Sequence, residues 1–109
     1  MAKDDYHVVV FRILKYLYTQ LKKGLPVEPD MLRHDSEVCG INALYWRFIM
    51  ISMQEEGLIR GLEKGSGEYE QMEEQLKDVQ ITIKGIDVLS DNKMNKQVDQ
   101  MIRGILNLG

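Results

Sequence analysis

The fold is decided by the stretch Glu-Glu-Gly-Leu-Ile-Arg-Gly at residues 55–61. Gly57 follows an apolar segment with helical spacing, and a glycine in the left-handed conformation commonly ends a helix. Leu58 and Ile59 then open the segment 58–63, which favours a strand. The stretch therefore predicts the end of one helix and the start of a strand.

A second strand is predicted over residues 79–83, where Val-Gln-Ile-Thr-Ile alternates with the period of a half-buried strand. Together the two strands suggest an antiparallel hairpin. Residues 65–78 separate them, which is far more than the ~2–5 residues of an ordinary hairpin loop. Helical spacing within this segment leaves two alternatives open, a helical turn or long extended arms. The residues with that spacing are Tyr69, Met72 and Leu76.

The first helix is predicted over residues 4–23, where apolar side chains recur every three or four positions. The basic Lys22 and Lys23 complement the helix dipole at its carboxyl end, and Gly24 is expected to stop it. Its apolar stripe consists of Tyr6, Val9, Val10, Ile13, Leu14, Leu17 and Leu21.

Three further helices are expected. A short second helix covers residues 30–34 with Asp30 able to cap it, and a third covers residues 42–56 with Asn42 as its cap. A closing helix runs from about residue 92 to residue 106.

The third helix is apolar on two sides. One face carries Trp46, Ile49, Met50 and Met53, and the nearly opposite face carries Leu44, Phe48 and Ile51. Either the closing helix folds back and covers the second face, or that face is a surface for a partner or for a second copy of the chain.

The order of elements is helix, helix, helix, strand, connecting segment, strand, helix. This order predicts an α+β, mostly α fold of the winged-helix type, with a three-helix helix-turn-helix core, a β-hairpin wing and a C-terminal helix. The length of 109 residues suits a single domain over residues 1–109. One cysteine and no apolar run near ~20 residues indicate a cytoplasmic protein outside the membrane.

Four motifs spread over most of the chain carry a family resemblance. They are Phe-Arg-Ile-Leu-Lys-Tyr-Leu at 11–17, Gly-Ile at 40–41, Tyr-Trp at 45–46 and Asp-Asn-x-Met at 91–94. These motifs resemble the YjcQ family of small proteins from bacteria, phages and prophages. The resemblance implies a winged-helix domain and supplies no catalytic residues. The chain departs from the family most in its acidic segment, residues 68–74.

The net charge of −3 is unevenly distributed along the chain. Residues 1–27 carry +3 and residues 79–109 carry +1, whereas residues 28–62 carry −3 and residues 63–78 carry −4. The last of these segments is the predicted wing, which would be repelled by phosphates. The acidic wing is expected to be a solvated arm or an arm that faces a basic partner.

Two functions of different classes follow. The first is a transcription-regulatory protein that binds double-stranded DNA as a homodimer, with the third helix in the major groove. Tyr45 and Arg47 would then lie near base edges, and phosphates would be held by Arg60, Lys64, Lys22 and Lys23. The alternative is a protein-interaction or dimerisation module without DNA binding, which uses Leu44, Phe48 and Ile51.

The chain offers little for catalysis or metal binding. Zinc sites take four nitrogen or sulfur ligands, and the chain has only two histidines and one cysteine. We expect Cys39 to be an inert, buried thiol and Trp46 to be a core anchor. We therefore expect no enzyme, no metal site and no cofactor.

Overall fold

A computed structural model describes residues 4–62 and 69–91 of the chain. In chain order the elements are α1 (Tyr6–Lys23), α2 (Pro29–Leu32), α3 (Ala43–Glu55), β1 (Ile59–Arg60), α4 (Tyr69–Gln75), a 3₁₀ turn (Leu76–Asp78), β2 (Gln80–Ile81) and α5 (Ile83–Asp91). The two strands pair antiparallel, with Ile59 opposite Ile81. The predicted α+β, mostly α class is confirmed. Within the described ranges, no helix has the length and apolarity that crossing a membrane requires.

The first helix, α1, lies at the centre of the core. Eleven of its residues are buried, and α3, β2 and α5 all pack against it. Gly24 ends it in the left-handed conformation with φ 70°, as predicted. Leu21, which was expected in the buried stripe, is 62% exposed. The last turn of α1 borders an open groove instead of a packed element, and this explains the exposure of Leu21.

The third helix begins where the sequence predicts. The side chain of Asn42 accepts a hydrogen bond of 2.8 Å from the amide of Tyr45 and so caps α3. The predicted core face is confirmed, since its four residues, Trp46, Ile49, Met50 and Met53, are fully buried. The indole Nε1 of Trp46 donates to the carbonyl of Leu32 at 2.7 Å, which joins α3 to α2.

The short second helix, α2, starts earlier than expected. Its first residue is Pro29, and no side chain caps it. The prediction that Asp30 is the cap is wrong, because Asp30 lies inside the first turn. The ring of Pro29 already holds the backbone angle of the first helical position, and this residue lacks the amide that a cap would satisfy.

Both predicted strands are shorter in the structure, with two residues each. Ile83 is not the end of β2 but the first residue of α5, and it is 76% exposed. The change from strand to helix follows from Thr82, whose hydroxyl oxygen accepts a hydrogen bond of 3.1 Å from the amide of Gly85. This bond satisfies a free donor of the first helical turn, as N-cap residues do.

The described part of the segment between the strands, residues 69–78, is helical, which decides between the two alternatives there. Met72 and Leu76 are buried in the core. The 3₁₀ turn packs against α2, and Glu73 lies 3.5 Å from the guanidinium Nε of Arg33 just beyond α2. This part of the acidic segment therefore packs against the body of the protein. The closing helix predicted over residues 92–106 lies outside the described residues.

Three elements meet at Thr82. Its hydroxyl donates to the carbonyl of Gly57, directly after α3, and its amide donates to the carbonyl of Leu58 at 3.1 Å. Gly57 has φ 78°, which favours glycine. A Cβ at Gly85 would lie 2.5 Å from the Leu58 carbonyl oxygen and 2.8 Å from Ile81. Residue 85 must therefore be glycine for α5 to approach the sheet this closely.

Replacing Gly85 with alanine should lower the free energy of unfolding by about 1–3 kcal/mol, the usual cost of overpacking a core. The new methyl group would collide with the backbone of Leu58, which cannot rotate away. Chemical unfolding followed by circular dichroism measures the loss. Ser90→Ala, at an exposed position of the same helix, is the control, with an expected change within ~0.5 kcal/mol. Equal losses for the two variants would contradict the role of Gly85.

The thiol of Cys39 should be unreactive in the folded protein. It is fully buried, as expected, and burial raises its pKa from 9.0 to about 11. At pH 8 an aromatic disulfide reagent should label the folded protein only as fast as the chain opens, and should label the chain in denaturant at once. Rapid labelling of the folded protein would contradict this prediction.

The same pKa shift makes the contribution of Cys39 to stability depend on pH. The unfolded thiol ionises first, near its ordinary pKa of 9.0, because the folded thiol keeps its proton to about pH 11. The unfolded state therefore binds fewer protons in this window, and this group's contribution to stability falls as the pH rises from about 9 towards 11.

Candidate functional site

The exposed side of α3 is apolar. Leu44 is 77% exposed and Phe48 is 60% exposed, although both are large apolar residues. Ile51, the third residue of the predicted interface, is half-buried against the core. Tyr6 of α1 contacts Phe48 edge to face, with the ring centroids 6.3 Å apart. We call these four residues, Tyr6, Leu44, Phe48 and Ile51, the α3 patch.

Carboxylates border the patch where α3 begins. The hydroxyl of Tyr45 donates to the backbone carbonyl of Asp4 at 2.9 Å, so the start of α1 lies beside the first turn of α3. The side chains of Asp4 and Asp5 are both exposed. Partial burial raises the pKa of the Tyr45 phenol, and the two nearby carboxylates raise it further.

Carboxylates also border the other end of the patch. Glu55 and Glu56 are exposed at the end of α3. Burial raises the pKa of the Tyr6 phenol, and the negative charge of Glu56 adds to this shift. Glu56 is thus close enough to the patch for its charge to act on Tyr6. The α3 patch is an apolar surface with negative charge on two sides.

The two residues expected to read DNA bases are only partly exposed. The Tyr45 hydroxyl bonds to Asp4, and Arg47 is half-buried. The amide of Gln54, on the same flank of α3, donates to the Leu62 carbonyl and accepts from the Leu62 amide, both at 2.7 Å. Gln54 therefore fixes the chain that follows β1. The position of Gln54 in the sequence does not reveal this role. Within α3 no basic side chain is exposed.

The expected phosphate contacts lie elsewhere. Lys22 and Lys23 are exposed in the last turn of α1, and the Lys22 ammonium lies 4.6 Å from the centre of the Tyr18 ring. Arg60 is exposed on β1, and Lys64 lies outside the described residues. Tyr6 and Lys22 sit at opposite ends of α1, roughly 24 Å apart along a helix of this length. The lysine pair is therefore far from the α3 patch.

A groove lies beside the last turns of α1, and sequence reasoning missed it. It has a volume of about 490 Å³ between α1, the chain that follows Gly24, and the β1–β2 sheet. Its lining is Leu17, Gln20, Leu21, Leu25, Pro26, Val27, Arg60, Lys77, Val79, Gln80 and Ile81. The pair Leu21 and Leu25 on either side of the glycine turn is the available signal, but the helical spacing of Leu21 predicts a core position instead.

The histidine and cysteine residues after α2 serve the fold. The ring Nδ1 of His34 lies 3.0 Å from the Ile41 carbonyl oxygen. The buried guanidinium of Arg12 donates to the Cys39 carbonyl at 3.3 Å and ties this loop to α1. Among residues 4–62 and 69–91, no three His, Cys, Asp or Glu side chains are grouped so that they could hold a metal ion.

Comparison with known proteins agrees with the motifs. The model of the family described as YjcQ protein matches residues 11–107, which include α3, both strands and the lining of the groove. Comparisons with the curated proteins and with the solved structures give no match. Since the family model covers almost all of the 109 residues, the resemblance is confirmed. The chain belongs to the YjcQ family.

Proposed function

We propose that this chain is a protein-interaction module whose α3 patch binds a basic amphipathic segment of another protein. The observation that carries the proposal is the exposure of Leu44 and Phe48, 77% and 60%, on one side of a helix whose other side is core. They stand four residues apart, so they lie on one face one turn apart. This spacing suits a helix that packs along α3.

The charge around the patch supports a basic partner. Asp4 and Asp5 lie at one end, and Glu55 and Glu56 lie at the other. In a symmetric dimer that packs two α3 helices antiparallel, these two acidic ends would face each other. Like charges oppose that arrangement, whereas lysines around an apolar stripe complement it.

The proposed role is that of a binding protein and not of an enzyme. The patch consists of apolar side chains with a charged border, which suits binding. The single buried cysteine supports a reducing, cytoplasmic setting.

The first test uses a labelled synthetic helix of about 18 residues made of leucine and lysine, with its leucines on one face. Fluorescence anisotropy should show saturable binding that weakens as salt is raised. Phe48→Gln, which keeps the charge unchanged, should weaken binding about tenfold or more, because central aromatic residues often dominate an interface. Ile83→Gln is the matched control, since Ile83 is also a large exposed apolar residue, 76% exposed, but lies on α5.

Three results with these variants would overturn the proposal. Equal binding of the peptide by Phe48→Gln and Ile83→Gln would show that the peptide binds through charge alone and not through the α3 patch. Loss of the folded state in Phe48→Gln, seen by circular dichroism, would show that the face is core. A wild-type dimer in light scattering that becomes a monomer in Phe48→Gln would make a second copy the occupant.

DNA binding is the second candidate, and it rests on the cations at the end of α1. Lys22 and Lys23 are exposed near the groove that Arg60 and Lys77 line. The order of elements also fits the expected winged-helix type. Against it, residues 33–42 connect α2 and α3, whereas a helix-turn-helix has a turn of ~3–4 residues. The outward side of α3, which would face the bases, also carries the apolar Leu44 and Phe48, and these cannot form hydrogen bonds with base edges.

A salt series on a mixed-sequence DNA duplex separates the two functions. The interaction module should show no duplex binding even at low salt. A DNA-binding protein should bind at low salt, lose affinity steeply as salt rises, and lose it further in Lys22→Gln/Lys23→Gln. Duplex binding of this kind would overturn the interaction module and support DNA binding.

A further inference from the structure

The groove beside the end of α1 is separate from the α3 patch and has an apolar floor. Leu17, Val79 and Ile81 are buried there. Leu21 and Leu25 form its wall and remain 62% and 51% exposed. A volume of about 490 Å³ falls in the ~300–1,000 Å³ range of small-molecule sites.

Hydrogen bonds hold the wall of the groove in place. The side chain amide of Gln20 donates to the Pro26 carbonyl at 2.8 Å. The backbone amide of Glu28 donates to the hydroxyl of Tyr16 at 2.9 Å. These two bonds anchor the chain between α1 and α2 to α1 itself. The groove is therefore shaped before any ligand enters, which lowers the entropic cost of binding.

The polar groups of the groove carry positive charge. Arg60 and Lys77 are exposed on the lining. The guanidinium Nε of Arg60 donates to the side chain oxygen of Gln80 at 3.1 Å, which orients the planar group. Among the described lining residues none carries a carboxylate. Apolar walls with cations at one side are complementary to a molecule that has an apolar chain and an anionic end.

We propose that this groove binds a small amphipathic carboxylate, that is, an apolar chain ending in one carboxylate. The chain lies along Leu17, Leu21 and Leu25, and the carboxylate pairs with Arg60 and Lys77. A guanidinium presents parallel donors that match the two oxygens of a carboxylate.

Other occupants fit the groove less well. Strand addition by a peptide needs a sheet edge, and the strands here have two residues each. Single-stranded nucleic acid is usually held by bases stacked on aromatic rings. No aromatic residue is present among the described residues of the lining.

Decanoate is the probe for the test, with binding to the full chain measured by isothermal titration calorimetry. Saturable binding with one site per chain is expected. Arg60→Gln/Lys77→Gln should weaken it about tenfold or more, and Leu21→Gln should weaken it several-fold. Lys84→Gln and Ile83→Gln are the controls, because both residues are exposed on α5 and neither lines the groove, and these variants should bind as the wild type does.

A second ligand tests the anionic end. Decanol has the same chain without the charge and should bind about tenfold more weakly than decanoate. Equal binding of the two ligands would overturn recognition of the carboxylate. Absence of saturable decanoate binding at millimolar concentration would overturn the site, as would unchanged binding by Arg60→Gln/Lys77→Gln. Displacement of decanoate by a DNA duplex would assign the two cations to nucleic acid instead.

Discussion

The hydroxyl of Thr82 is the point on which the arrangement of the chain depends. It accepts the hydrogen bond that starts α5 and donates one to Gly57, where α3 has just ended. Thr82 thereby holds together the end of α3, the start of α5 and the short sheet. Gly85 allows this closeness because it has no side chain. Both α5 and β2 pack against α1, and Ile81 of β2 forms part of the floor of the groove.

Local patterns predicted α1 and α3 because the apolar stripe of α1 recurs with helical spacing and Asn42 caps the start of α3. The boundary at Ile83 could not be predicted, since Val-Gln-Ile-Thr-Ile alternates as a strand does while Thr82 acts as a helix cap. Leu21 belongs to the apolar stripe of α1, yet burial there needs a neighbour that the last turn lacks. The first difference arises from a local capping hydrogen bond, and the second arises from the absence of a packed neighbour.

The two candidate sites differ in how far the sequence reveals them. Leu44 and Phe48 follow from helical spacing alone, because a helix that is apolar on both sides must expose or cover the second side. The groove depends on side chains from α1, from the chain after it and from both strands, and no local pattern joins these segments. The ionic contact between Arg33 and Glu73 likewise shows that part of an acidic run can pack against the protein body.

The central place of α1 has a consequence for synthesis on the ribosome. This helix is made before its partners in β2 and α5, which are encoded about 60 residues later. At ~5–20 residues per second, the nascent chain carries an unfinished core for about 3–12 s. During that interval the run from Val8 to Phe11, buried in the finished protein, is open to other chains. We therefore expect the yield of folded protein to depend on how well this newly made helix is protected during synthesis.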